Sequence, residues 1–182
     1  MSLTAKSNKP EPICWGARVS PAFRDGVRRM GARLGISPDY LMACMAFETG
    51  RTFDPAIRNH AGSGATGLIQ FMPSTAAALG TSTEALAAMS ACQQLIFVEN
   101  YFRPWKGRLR TLSDVYMAIL WPGAIGKPEG WVLFRQSDAA HPKRYLQNAG
   151  LDFDRDGTIT KVEAAAGPAR QLEAGLRPGN MA

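Results

Sequence analysis

The sequence predicts a mainly α fold: a helical domain with one irregular or short-stranded excursion around residues 50–73 and a C-terminal loop–helix. Three observations carry this. Cap-and-stop grammar repeats along the chain, Ser20-Pro21 to Gly35 and Ser37-Pro38 to Gly50. Apolar residues between these marks keep a helical period, with Phe23, Val27, Met30 and Leu34 on one face. The stretch GRTFDPAIRNHAGSGATGLIQFMP, from Gly50 to Pro73, abandons that period for Gly, Asn, Asp and Pro around short apolar pieces.

The first helix runs from Pro21 toward Gly35. The second, DYLMACMAFET, is apolar all round, so it belongs in the centre. After the excursion, STAAALG reads as a brief helix capped by Ser74 and stopped by Gly80. STEALAAMSACQQLIFVENYFRPW holds a short helix and a longer one ending near Pro104. TLSDVYMAILWPG is another, with Leu112, Val115, Tyr116 and Ile119 on a face. EGWVLFRQ suits a short strand or a helix. AHPKRYLQNAG leads into an acidic loop, and an alanine-rich helix interrupted by Pro168 ends the chain. Residues 1–12 read as a flexible tail, 13–148 as the main domain, and 149–182 as a loop and helix packed on it.

A chain of 182 residues with 46% hydrophobic and 20% charged residues makes a real core and excludes wholesale disorder. The net charge of +6 suits an anionic polymer; nucleic acid and bacterial cell wall both qualify. No nucleic-acid motif is present, so no nucleic-acid partner is expected. The start, MSLTAKSNKPEP, has no apolar core of a signal peptide. The longest strictly apolar run, Leu41 to Phe47, is too short for stable membrane insertion. Three widely spaced cysteines argue against a disulfide framework, and Cys44 and Cys92 read as small buried thiols. A monomer made in the cytoplasm is expected.

Glu48 ends the apolar helix. Met45, Cys44 and Leu41 lie three, four and seven residues before it, on its own side. Desolvation there raises a carboxyl pKa, and a helix C-terminus pushes the same way. A carboxylic acid still protonated near neutral pH serves as a general acid. The bland alternative is a glutamate that bends to solvent or caps a nearby N–H. For a second carboxylate, Asp54 in FDPA suits an Asx-type turn and Asp114 suits the first turn of a helix. His60 and His141 read as loop residues, and no zinc-ligand spacing or Ser-His-Asp arrangement is present. Trp105, Trp121 and Trp131 offer sugar stacking, with core packing the default.

Together, the apolar helix, Glu48-Thr49-Gly50 and Gly67-Leu68-Ile69-Gln70 followed by FMPSTA resemble the soluble lytic transglycosylases and their goose-type lysozyme relatives. The resemblance covers residues 20–147 and is closest to a phage-type branch. It implies a lysozyme-like fold and a peptidoglycan-degrading enzyme that cleaves the bond from N-acetylmuramic acid to N-acetylglucosamine. It also implies Glu48 as catalytic acid, then base, with a 1,6-anhydro product and glycan strands bound by Ser63, Gln70, Phe71, Tyr116 and Trp121. Leu120-Trp121-Pro122 stands where the family's Ala-Tyr-Asn triplet is expected, which leaves the tyrosine role unassigned. Such an enzyme acts on the wall, in the periplasm, after release or delivery. A hydrolytic muramidase and a non-catalytic wall-binding or virion domain are the alternatives.

DFDRDGTITKVE, Asp152 to Glu163, matches an EF-hand loop. Asp152, Asp154 and Asp156 take the first three ligand positions and Gly157 the sharp turn. Thr158 offers a carbonyl, Thr160 the ninth position and Glu163 the distal carboxylate. With no partner hand in sequence, a lone structural Ca2+ site is expected, and no cofactor is needed for catalysis.

Overall fold

The computed structural model describes residues 11–59 and 62–182. Most of the expected tail, residues 1–10, and His60 lie outside the described residues. Eight α-helices and one two-stranded sheet are present among them.

Helix α1 (Pro21–Leu34) starts where Ser20 Oγ accepts from the Phe23 N–H at 3.2 Å and stops at Gly35, whose φ is 72°. Helix α2 (Pro38–Glu48) buries every side chain from Leu41 to Ala46. No polar face is left over, so α2 becomes the axis of the domain. Around it pack α1, α6 (Leu112–Leu120) and α8 (Lys161–Gly175). Helix α5 (Ala91–Phe102) lies against α1 and opens with a reciprocal Ser90–Gln93 capping box. The architecture is mainly helical, as the sequence leads one to expect.

Between α2 and α5 come the excursion, then α3 (Pro73–Ala78) and α4 (Thr83–Ala88). Among its described residues the excursion holds isolated antiparallel bridges, Arg58 with Thr66 and Thr66 with Phe71, and no strand. Helix α3 opens at Pro73 with Met72 as its cap residue, not at Ser74; proline fits the first helical position because its missing N–H is not needed there. Strand β1 (Val132–Arg135) pairs antiparallel with β2 (Thr158–Thr160), Phe134 facing Ile159. So EGWVLFRQ is a strand, and it gives the acidic loop the pairing partner that a second hand would supply. Helix α7 (Pro142–Asn148) forms within AHPKRYLQNAG.

Three expectations fail for the same reason, tertiary contact. Pro168 does not interrupt α8, which runs unbroken with Gly167 and Pro168 buried. A Cβ on Gly167 would overlap the Phe47 ring, so α8 seats its bare backbone on α2 there, and that packing offsets the hydrogen bond proline removes. Cys92 is exposed, because the inward face of α5 is Gln94, Leu95, Val98 and Phe102. Cys92 shares the outer face with Ile96, four residues on and 62% exposed. Cys14 and Cys44 are buried, and all three thiols are free. Trp131, too, is exposed rather than core, with the Lys127 ammonium 4.6 Å over its ring.

A buried ion pair joins the ends of two helices. Lys161 Nζ donates to Asp114 Oδ1 at 2.7 Å and to the Lys127 carbonyl at 2.8 Å, and Asp114 Oδ1 also accepts from the Gly126 N–H. Burial pushes the Asp114 carboxyl up, but the Lys161 ammonium and the Gly126 N–H outweigh it, and the net shift is downward. No helix among the described residues is long and apolar enough to cross a membrane.

Candidate active site

The end of α2 explains how Glu48 is held. The Arg51 N–H donates to the Ala46 carbonyl at 2.7 Å and the Gly50 N–H to the Phe47 carbonyl at 3.3 Å, with Gly50 at φ 57°. This is a Schellman stop, which satisfies the last carbonyls and fixes the final turn. Thr49 is fully buried; its hydroxyl donates to the Met45 carbonyl at 2.7 Å and accepts from the Phe53 N–H at 3.0 Å. The Glu-Thr-Gly turn therefore locks the backbone that carries the carboxylate.

Glu48 itself is half-buried, and none of the described residues donates a hydrogen bond to it. Desolvation alone pushes its pKa up to about 8. Two phenols share its neighbourhood. Burial and then the Glu48 charge push Tyr101 up to about 12, and Tyr116 upward likewise. Tyr101 donates to the Ala118 carbonyl at 2.5 Å, and Tyr116 meets the Phe47 ring edge-on at 5.5 Å. Tyr101 was not singled out from sequence, since an aromatic near the end of an amphipathic helix carries no signal of what it faces.

The sequence-predicted binding residues separate by exposure. Gln70 is half-buried at φ 52°, and its amide donates to the Gly67 carbonyl at 3.1 Å and the Ile57 carbonyl at 3.4 Å. Its Nε2 thus braces the loop, while Oε1 accepts nothing from the described residues. Ser63 is exposed, its Oγ accepting from the Ala65 N–H. Phe71 and Tyr116 are 2% and 4% exposed, so the fold puts both in the core beneath the site rather than on its surface. Gln70, Phe71, Tyr101 and Ile119 still converge on a small cavity of about 40 Å3. Trp121 is half-buried, edge-on to Phe134 at 5.2 Å, with the Arg144 guanidinium 5.2 Å over its ring.

Gln94, missed from sequence, anchors the whole excursion. It is fully buried, accepts from the Leu68 N–H at 2.7 Å, and donates to the Pro55 and Leu86 carbonyls at 3.0 Å each. The signal was a glutamine at an inward position of α5. Gly67 (φ 85°) must be glycine beside it, since a Cβ would overlap the Gln94 amide. Gly67→Ala is expected to cost about 2–3 kcal/mol, from left-handed strain plus the displaced buried amide. Urea unfolding measures this, and a loss under about 0.5 kcal/mol would contradict the clamp.

In the acidic loop, Asp152, Asp154 and Asp156 each bring a carboxylate oxygen within 4.8 Å of the others. Asp152 is 8% exposed. Its Oδ2 accepts from Tyr145 OH at 2.6 Å and from the Gly157 N–H at 3.0 Å. Its Oδ1 is buried with no partner. Glu163 stands apart from that cluster: its Oε2 accepts from the Thr160 N–H and hydroxyl, at 2.8 and 2.6 Å, as a capping box opening α8. Thr158 is half-buried on β2, its N–H held by Asp156 Oδ1.

Residues 27–107 match the family model described as the transglycosylase SLT domain. This stretch, 81 of the chain's 182 residues, is similar to an SLT domain. The matched stretch contains α2, Glu48 and the Gly67–Gln70 loop, and the helical architecture is that of the SLT lysozyme-like fold. No curated protein matches the chain. The match indicates an enzyme acting on peptidoglycan at the cell wall, as a lytic transglycosylase does.

Proposed function

We propose that Glu48 works alone in this SLT domain. As an acid it protonates the glycosidic oxygen between N-acetylmuramic acid and N-acetylglucosamine. As a carboxylate it then takes the proton of the C6 hydroxyl, which closes on C1 to leave a 1,6-anhydro end. The single observation behind this is a desolvated, unbonded carboxyl at the end of the central helix, with a pKa near 8. Both carboxylates that sequence offered as partners are committed elsewhere: Asp114 to Lys161, and Asp54 to an Asx turn through the Ala56 N–H at 2.8 Å. Glycosidases that use two acids need both free to flank the bond. Ser63, Gln70 and Trp121 form the walls for glycan, and Phe71 and Tyr116 support them from the core.

Product mass tests the route. Digested sacculi should yield fragments lighter by one water than those of a hydrolysing muramidase. Fully hydrated reducing ends would assign the water-using reaction instead, and no fragments at all would favour a non-catalytic wall-binding domain.

We also propose a structural Ca2+ held by Asp152, Asp154 and Asp156, with the Thr158 carbonyl and Glu163 completing the set. The orphaned, buried Asp152 Oδ1 favours it, since a buried carboxylate oxygen without a partner is costly. The ion supplies charge neutralisation and no chemistry. At 100-fold over its Kd it should stabilise by about 2.7 kcal/mol, raising Tm by roughly 5–10 °C. Asp152→Asn should abolish the rise; a Tm indifferent to both calcium and EDTA would rule the site out.

A further inference from the structure

The turn that closes α2 has a second face. A cavity of about 530 Å3 opens there, lined by Arg18, Gly50, Arg51 and Thr52. Both arginines are exposed, and neither guanidinium has a hydrogen-bond or ion-pair partner among the described residues. Two cationic residues thus line one space, and no acidic side chain among the described residues lines it with them.

Arg51 is unusual in its backbone. It sits at φ 70°, a left-handed conformation that side-chain-bearing residues adopt only when their surroundings impose it. The imposing contact is the 2.7 Å hydrogen bond from its own N–H to the Ala46 carbonyl, which belongs to the helix that carries Glu48. Thr52 stiffens the next step, its hydroxyl donating to the Thr49 carbonyl at 2.8 Å. Arg51 therefore stands on a rigid stalk, three residues from Glu48, a path of at most about 11 Å of chain. Arg18 comes from the segment before α1, which is itself pinned by the Arg18 N–H to the Trp15 carbonyl at 3.0 Å.

A pair of guanidiniums is matched to a carboxylate, whose two oxygens accept from the planar fork of N–H groups. The substrate of an SLT domain offers such groups. Each muramic residue bears a peptide stem with free carboxylates, whereas the sugar backbone itself is uncharged. We propose that Arg18 and Arg51 together receive a stem carboxylate on the muramic residue next to Glu48, making the enzyme selective for peptide-bearing over naked glycan. This rests on the assignment of Glu48 as the catalytic acid.

The experiment compares sacculi with the same sacculi stripped of stems by an N-acetylmuramoyl-L-alanine amidase. Arg18→Gln and Arg51→Gln should each lower kcat/KM about tenfold on intact sacculi, the scale of one lost charge-assisted contact, and leave the rate on stripped glycan unchanged. Arg51→Lys should recover part of the loss. Arg51→Gly relieves the left-handed strain, so it should fold at least as well as wild type and show the same loss on intact sacculi. Equal losses on both substrates, or no loss on intact sacculi in folded variants, would overturn the proposal. Wild type inactive on both substrates would instead remove the Glu48 reading beneath it.

Discussion

Glu48→Gln should lower kcat by about 10³-fold or more on sacculi while making the protein more stable, at the scale general acid catalysis contributes. The loss follows because glutamine keeps the shape and hydrogen-bonding size of the side chain but has no proton to give to the leaving oxygen. The stability gain follows from the sign of the pKa shift. The Glu48 carboxyl titrates at about 8 in the folded protein against an ordinary 4.5. Between those values the unfolded chain is ionised at this residue and the folded one is protonated. Folding therefore takes up a proton, and stability contributed by the buried neutral acid is complete below pH 4.5 and drains away as pH rises toward 8. Replacing the acid with an uncharged amide removes that drain. At pH 7 the gain is at most about 3 kcal/mol, and the pH slope of stability flattens over the same window. The same titration governs activity: the alkaline limb of kcat/KM for wild type should fall with an apparent pKa near 8. Urea melts at pH 5 and pH 7.5, set beside turbidity assays, read both effects. A variant that clears sacculi as fast as wild type would end the assignment of Glu48.

Lys161→Ala should cost about 3–5 kcal/mol, the usual consequence of leaving one member of a buried pair uncompensated. Lys161 is 1% and Asp114 5% exposed, so neither charge has water to fall back on. Removing the ammonium strands the Asp114 carboxylate, releases the Lys127 carbonyl and loosens the join between the starts of α6 and α8. Loss of the packed aliphatic stem adds to this. For a protein of this size the Tm should fall by roughly 10 °C. The double variant Lys161→Met with Asp114→Asn should recover most of that loss, because the methionine refills the volume and the asparagine keeps an acceptor for the Gly126 N–H. If the single variant lost less than about 1 kcal/mol, or the double variant recovered nothing, the pair would not be the fastening described. Acid should act in the same direction. The Asp114 pKa is depressed, so its contribution is present above the ordinary carboxylate range and is lost as pH falls through its folded value.

These two residues differ in how visible they were. Glu48 was legible because everything that perturbs it is local: apolar residues three, four and seven positions back share its side of α2, and a glycine fixes the turn after it. The clustering of Asp152, Asp154 and Asp156 was legible for the same reason, as carboxylates at short intervals. Lys161 lies inside the same acidic loop and went unremarked, because its partner is 47 residues away. Gln94 likewise grips a loop 26 residues back. Cys92 was misjudged because α5 has apolar residues on two faces, Leu95 and Val98 inward and Ile96 outward, and periodicity does not say which face meets α1. Pro168 was misjudged because propensity prices a lost hydrogen bond but not the burial of α8 against Phe47.

By itself the chain's order of residues determined that the fold is mainly helical, where α1 and α2 begin and end, which helix is central, and that the last acid of α2 is desolvated; such properties depend on neighbours within a turn or two. Only the folded arrangement decided which polar groups meet, Lys161 with Asp114, Gln94 with the Gly67 loop, Tyr145 with Asp152. It also decided which apolar faces stay in water. Those outcomes depend on distances between separate elements, and local spacing along a chain carries no measure of them.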